Sequence, residues 1–166
     1  IIVPVRDIRD VLASFEKIWR ENSKSSQIAQ ESMNYFNFQT VQGRTSTWLQ
    51  ADQPVGLAYN RLVDAIQRGY GDRLLLVDFD DLTQNPEETF NKIYNFLGEE
   101  KFEHNFKNIK QVTWEDDSVH GMEGLHNIKK NIKPRYANDM EPLTRQLHRQ
   151  VLPIKKPEII ERIAQN

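Results

Sequence analysis

The run Leu74-Leu75-Leu76-Val77 is apolar without a polar residue alternating through it. A strand with one wet face alternates. A run of this kind needs cover on both faces, as in the middle of a parallel sheet flanked by helices. The strand is expected over Arg73–Phe79. Residues 1–5, Ile-Ile-Val-Pro-Val, are also apolar and rich in β-branched side chains, and they read as a second buried strand. A helix follows almost at once, because Val11, Leu12, Phe15, Ile18 and Trp19 repeat with helical period and leave Asp10, Ser14, Lys17 and Glu21 on other faces. Strand, tight turn and helix form the unit from which parallel α/β sheets are built.

Other elements are legible in part. Residues 22–26 suit a loop or a helix start, with helix expected to about Tyr35, while Gln39–Asp52 has too weak a period to assign. Pro54 fits a first helical position, Ala58, Leu62, Ala65 and Ile66 line one face, and Gly69 closes that helix. Asn85-Pro86-Glu87-Glu88 is a helix start, in which asparagine caps and the glutamates favour the positive end. Phe90, Ile93, Tyr94 and Leu97 supply its buried stripe, and Gly98 stops it. Phe102–Tyr136 shows no long periodic element, the mark of a functional loop or disorder. Weak helical signals return at Glu141–Gln150 and from Pro157.

The 166 residues fit one domain, read here as a single partial domain over 1–166 because the first residues already form a strand and more chain is expected upstream. Hydrophobic residues make up 38% and charged residues 28%, the balance of an ordinary globular protein. A net charge of -2 argues against nucleic acid or an anionic membrane surface as a whole-surface partner. The absence of cysteine removes disulfides, thiolate metal sites and cysteine nucleophiles, and it fits a cytoplasmic location. No apolar run approaches the length of a membrane span. No cluster of metal-ligand type is visible.

The segment that carries chemistry is Arg6-Asp7-Ile8-Arg9-Asp10-Val11-Leu12-Ala13-Ser14. Arg6 falls at the end of the first strand, the edge at which open α/β sheets bind ligands. The helix beside it offers free backbone N–H groups and a positive dipole end, and a guanidinium matches phosphate oxygens in a fork. Ser14 would add a hydroxyl. The same residues also suit a plainer role, with Arg6 paired to Asp7 or Asp10 and Ser14 facing solvent.

This stretch resembles the 3'-phosphate-binding segment of the sulfotransferase superfamily, Arg-Asp-Pro-Arg-Asp-x-x-x-Ser after a strand, with Ile8 in place of the proline. A second match follows in order. Val77-Asp78-Phe79-Asp80-Asp81-Leu82 through Pro86-Glu87-Glu88 to Phe96-Leu97-Gly98 is similar to that family's strand, Tyr-Glu-Asp-Leu turn, Pro-Glu-Glu helix and Phe-Leu-Gly stop. The resemblance covers Ile1–Ser14 and Arg73–Gly98 well, and the tail poorly.

It implies a three-layer, P-loop-like α/β fold with a mainly parallel sheet, whose N-terminal phosphate-loop unit and catalytic residues would precede Ile1. It implies donor binding, with Arg6 and Ser14 on the 3'-phosphate of 3'-phosphoadenosine-5'-phosphosulfate (PAPS, or PAP once the sulfuryl group has left). Phe79 stands where the family has an adenine-side tyrosine, although core packing explains it equally well. The implied reaction is sulfuryl transfer, without a metal, to an acceptor hydroxyl or amine of unknown identity. Lys129 and Lys130 resemble in charge and place a basic loop that closes over the 3'-phosphate; a solvated basic turn is the plainer reading. His126 reads as structural, and Trp114, Glu115, Asp116 and Asp117 as an exposed acidic loop that could face an acceptor.

Two other classes stay open: a non-catalytic remnant serving as an interaction or scaffold domain, and a nucleoside-phosphate kinase, which would bind ATP and magnesium. An exposed sheet edge, if upstream strands are missing, would favour association with another chain.

Overall fold

A computed structural model describes residues 1–22, 37–120 and 126–133. The helices expected across 23–35, at Glu141–Gln150 and from Pro157 lie outside these residues. Strand β1 (Ile2–Val5) leads into helix α1 (Ile8–Asn22). A 3₁₀ turn (Asn37–Gln39) then precedes α2 (Val41–Trp48) and α3 (Pro54–Gln67). After a second 3₁₀ turn (Gly71–Arg73) come β2 (Leu75–Asp78), the short α4 (Phe79–Gln84) and α5 (Pro86–Leu97), with a last 3₁₀ turn at Asp117–His120.

β1 and β2 pair in parallel, Ile2 against Leu75 and Val5 against Asp78, with α1 following the first strand and α4 the second. The strand–helix order expected from the sequence is present. The burial expected of its strands is only partly met. Val77 is buried, but Leu75, Leu76 and Asp78 are half-buried and Ile2 is 38% exposed. The sheet has two strands among the described residues, so little packs on it from either side. β2 is also shorter than the expected Arg73–Phe79, because 3₁₀ and helical turns take its two ends.

The core lies among the helices. Leu12 and Ala13 of α1 pack with Phe38, Trp48 of α2 and Val55 of α3, ringed by Ile8, Val11, Phe15, Trp19, Val41 and Leu49. Trp48 is its centre, with its ring 5.5 Å from Phe15 and 6.3 Å, edge on, from Phe38.

Helix α2 occupies part of the stretch without a readable period. Three of its four buried residues, Arg44, Thr45 and Thr47, are polar and only Trp48 is apolar, so no hydrophobic stripe marks it. The two threonine hydroxyls donate to the helix's own carbonyls at Gln42 (3.0 Å) and Gly43 (2.9 Å), which satisfies them inside. Thr40 caps the helix by accepting from Gly43 N–H at 3.0 Å. A Cβ at Gly43 would lie 1.9 Å from the carbonyl oxygen of Asn37, so α2 can meet the preceding 3₁₀ turn only through glycine.

Two helix faces differ from expectation. In α3 Ala58 is exposed, while Val55 and Gly56 carry the buried end. In α5 Phe90, Ile93 and Tyr94 are half-buried as expected, but Leu97 is 49% exposed. Asn85 stands at the N-cap of α5 without a side-chain cap bond, and its carbonyl instead accepts the Thr89 hydroxyl at 2.9 Å. Gly98 ends α5 in the left-handed conformation at φ 70°.

Candidate functional site at the ends of the parallel strands

Parallel register decides what stands at the sheet's C-terminal edge. Because Val5 lies against Asp78, the next residues, Arg6 and Phe79, emerge side by side. The Arg6 guanidinium carbon sits 4.4 Å from the centroid of the Phe79 ring, within cation–π range. Two residues 73 positions apart in the sequence thus form one surface at the ends of the strand pair.

Arg6 has a second neighbour. Its Nε is 3.9 Å from Asp10 Oδ2, the outer limit of an ion pair, with side chains 24% and 12% exposed. Asp7, the other acid weighed as its partner, is held by Arg9. Arg9 donates to it from Nε (3.0 Å) and Nη2 (2.7 Å), and the Arg9 backbone N–H adds a third bond at 2.9 Å. The hydrogen bond to Asp7, the largest influence, raises the Arg9 pKa and keeps this cation charged. Asp7 therefore closes the start of α1, accepting at its carboxylate and, through its carbonyl, from Asp10 and Val11 N–H. Arg6 lies against the Phe79 ring, with Asp10 at its other side.

At the start of α4 the Asp78 carboxylate accepts from Asp80 N–H at 2.7 Å, which fixes the turn on which Phe79 stands. Ser14 sits exposed on α1, about 9 Å along the helix from Ile8 at the usual rise. The structure thus joins two of the three expected site residues directly and keeps the third as a separate point on α1, the helix that follows Arg6.

Lys129 and Lys130 are exposed. Their segment is tied to the stretch before it: Ile109 N–H donates to the Lys130 carbonyl at 2.7 Å and Ile132 N–H to Phe106 at 3.3 Å. His126, read from the sequence as a lone structural histidine, has partners. Its Nδ1 lies 2.5 Å from Oδ1 of the buried Asp117 and 3.3 Å from Glu115, and its backbone N–H donates to Asp117 Oδ2 at 3.0 Å. The Asp117 hydrogen bond, aided by both acidic charges and opposed by desolvation, raises the His126 pKa. Asp117 belongs to this clasp, while Trp114 remains 77% exposed. The two residues lie nine positions apart in the sequence, and no local pattern announces the pair.

No group of histidine, cysteine and acidic residues among those described is arranged to hold a metal ion, and no helix among them is long and apolar enough to cross a membrane. The chain is a mixed α/β protein whose parallel strands end on an arginine and an aromatic ring. It belongs to the sulfotransferase domain family, whose model matches residues 1–156, and sulfuryl transfer is the general chemistry of that membership. No curated protein and no solved structure matches it at a significant level.

Proposed function

We propose that this chain forms part of a PAPS-dependent sulfotransferase and carries the half of the donor site that holds the 3'-phosphate and the adenine. One observation carries the reading: Arg6 lies on Phe79 at the ends of two parallel strands, inside the segments that resemble the family's donor-binding motifs.

The residues suit the donor chemically. Arg6 supplies a forked cation for phosphate oxygens. Phe79 supplies a ring for the adenine without the hydroxyl of the tyrosine it replaces. Ser14 adds a hydroxyl donor from an exposed position on α1. When bound, the donor supplies an activated sulfuryl group for transfer to an acceptor hydroxyl or amine. These residues anchor and orient the nucleotide so that binding energy remote from the reacting sulfur positions it. Groups that stabilise the transferring sulfuryl and activate the acceptor are not among the residues of this half-site, and the fold that goes with this reading is three-layered and P-loop-like.

Calorimetric titration with adenosine 3',5'-bisphosphate, against adenosine 5'-monophosphate, tests the half-site. A charged hydrogen-bonded contact contributes about 1.5–3 kcal/mol, so the bisphosphate should bind about 10- to 100-fold more tightly, and Arg6→Ala should erase that preference. Equal binding of both nucleotides by folded protein would remove Arg6 from the donor site.

A further inference from the structure

A cavity of about 490 Å³ opens between α5 and the extended stretch that follows it, away from the residues assigned to the donor. Its walls are aromatic: Phe90 and Tyr94 from the helix, and Phe102, His104 and Phe106 from the stretch after it. His104 is the hub, with ring centroids 4.4 Å from Phe90, 5.0 Å from Phe102, 5.4 Å from Phe106 and 5.8 Å from Tyr94. A 2.8 Å hydrogen bond between the Tyr94 hydroxyl and His104 Nε2 locks helix to stretch, so the rings are held in place before any ligand arrives.

Two features separate this cavity from an ordinary fold in the core. Phe102 is 68% exposed, an unusual position for a ring that packs against another, and it is part of the cavity's lining. The charged lining is also biased, since Glu87 and Glu103 are among its residues with a single basic one, Lys101, against them. Aromatic faces carry negative potential, and carboxylates at the rim add to it. A strongly hydrated inorganic cation would lose too much water against such walls, whereas an alkylated ammonium carries its charge on a weakly hydrated, apolar surface.

We propose that this cavity is a binding site for an organic ammonium group, carried by a small molecule or presented by an acceptor. Phe102, Tyr94 and Phe106 receive the cation, and Glu87 and Glu103 balance its charge. The site is distinct from the donor half-site and does not depend on it.

Ligand-detected NMR titration of the full chain with choline tests this against dimethylbutanol, the neutral carbon isostere of choline. Choline should bind saturably, and dimethylbutanol should bind about fivefold more weakly or worse, the ratio expected for one cation–π contact of ordinary strength. Phe102→Leu keeps apolar area at an exposed position and removes the ring; it should weaken choline several-fold and leave dimethylbutanol unchanged. Lys101→Gln removes the competing ammonium and should tighten choline. Equal binding of the two probes, no saturation by tens of millimolar choline, or weaker choline binding in Lys101→Gln would each overturn the proposal. Because the readout is ammonium binding, failure of the adenosine bisphosphate titration leaves this result unaffected.

Discussion

The most buried acid among the described residues, Glu16, lies wholly out of water on α1, and it survives there because two arginines reach it. Arg44, itself 4% exposed, donates from Nε at 2.7 Å and from Nη2 at 2.6 Å, and Arg20 adds a bond of 2.7 Å. The remaining Nη1 of Arg44 donates to the Phe38 carbonyl at 2.6 Å, and the guanidinium lies 3.8 Å over Trp19. Trp19 Nε1 itself is buried with no hydrogen-bond partner among the described residues. Burial, the largest single influence on Glu16, pushes its pKa up, but the hydrogen bonds and charges of Arg44 and Arg20 together prevail and hold it low. The sign follows: this stability is present above the unfolded carboxylate pKa and is lost as pH falls through the lower folded value. Removing one partner strands the other charge. Glu16→Ala should therefore cost about 3–5 kcal/mol in urea denaturation, whereas the paired change Glu16→Leu with Arg44→Met should recover most of that loss. A loss below 1 kcal/mol for Glu16→Ala would show that Arg44 finds water or another partner.

At the scale of elements, the ends of helices were easier to read than their faces. Pro54, Pro86 and Gly98 stand where their backbone chemistry predicts, because a missing N–H or a positive φ is a property of the residue itself. Gly98→Ala places a Cβ in the left-handed region with open space around it, so backbone strain alone should destabilise the protein by about 1–2 kcal/mol. A thermal melt unchanged by the substitution would mean that α5 simply frays before residue 98. Helix α2 marks the opposite case. Beside Trp48 its buried residues are Arg44, Thr45 and Thr47, and Arg44 counts as interior only once α1 has brought Glu16 to meet it. Leu97 shows the same limit from the other side, since its spacing is that of a core position but no described element covers it.

For the whole molecule, the stretch after α5 behaves as a strap fastened by side chains rather than by a periodic backbone. Gln111 Oε1 accepts from Ile128 N–H at 2.9 Å, and His126 is clasped by Asp117. The raised pKa of His126 means that this fastening is fully present below the unfolded histidine value and weakens as pH rises through the folded one. Hydrogen exchange at Ile128, whose N–H is bonded to Gln111, should therefore be slower at pH 6 than its intrinsic pH dependence predicts, and this extra protection should vanish in His126→Ala. Equal protection in the variant would assign the fastening to Gln111 and to the backbone bonds of Ile109 and Ile132.

The sequence by itself determined the strand–helix order, the ends of α3 and α5, and the pair of motifs that identified the family. Each of these rests on a few neighbouring residues whose backbone or burial preference acts locally. Tertiary structure alone decided that Arg6 lies on Phe79, that Glu16 and Arg44 make a charged core, and that Asp117 answers His126. It also decided that two apolar runs form a sheet with partly open faces. Those outcomes depend on which distant surfaces meet, and chain spacing carries no record of the partner until the register of β1 on β2 and the packing of α1 on α2 bring the two sides together.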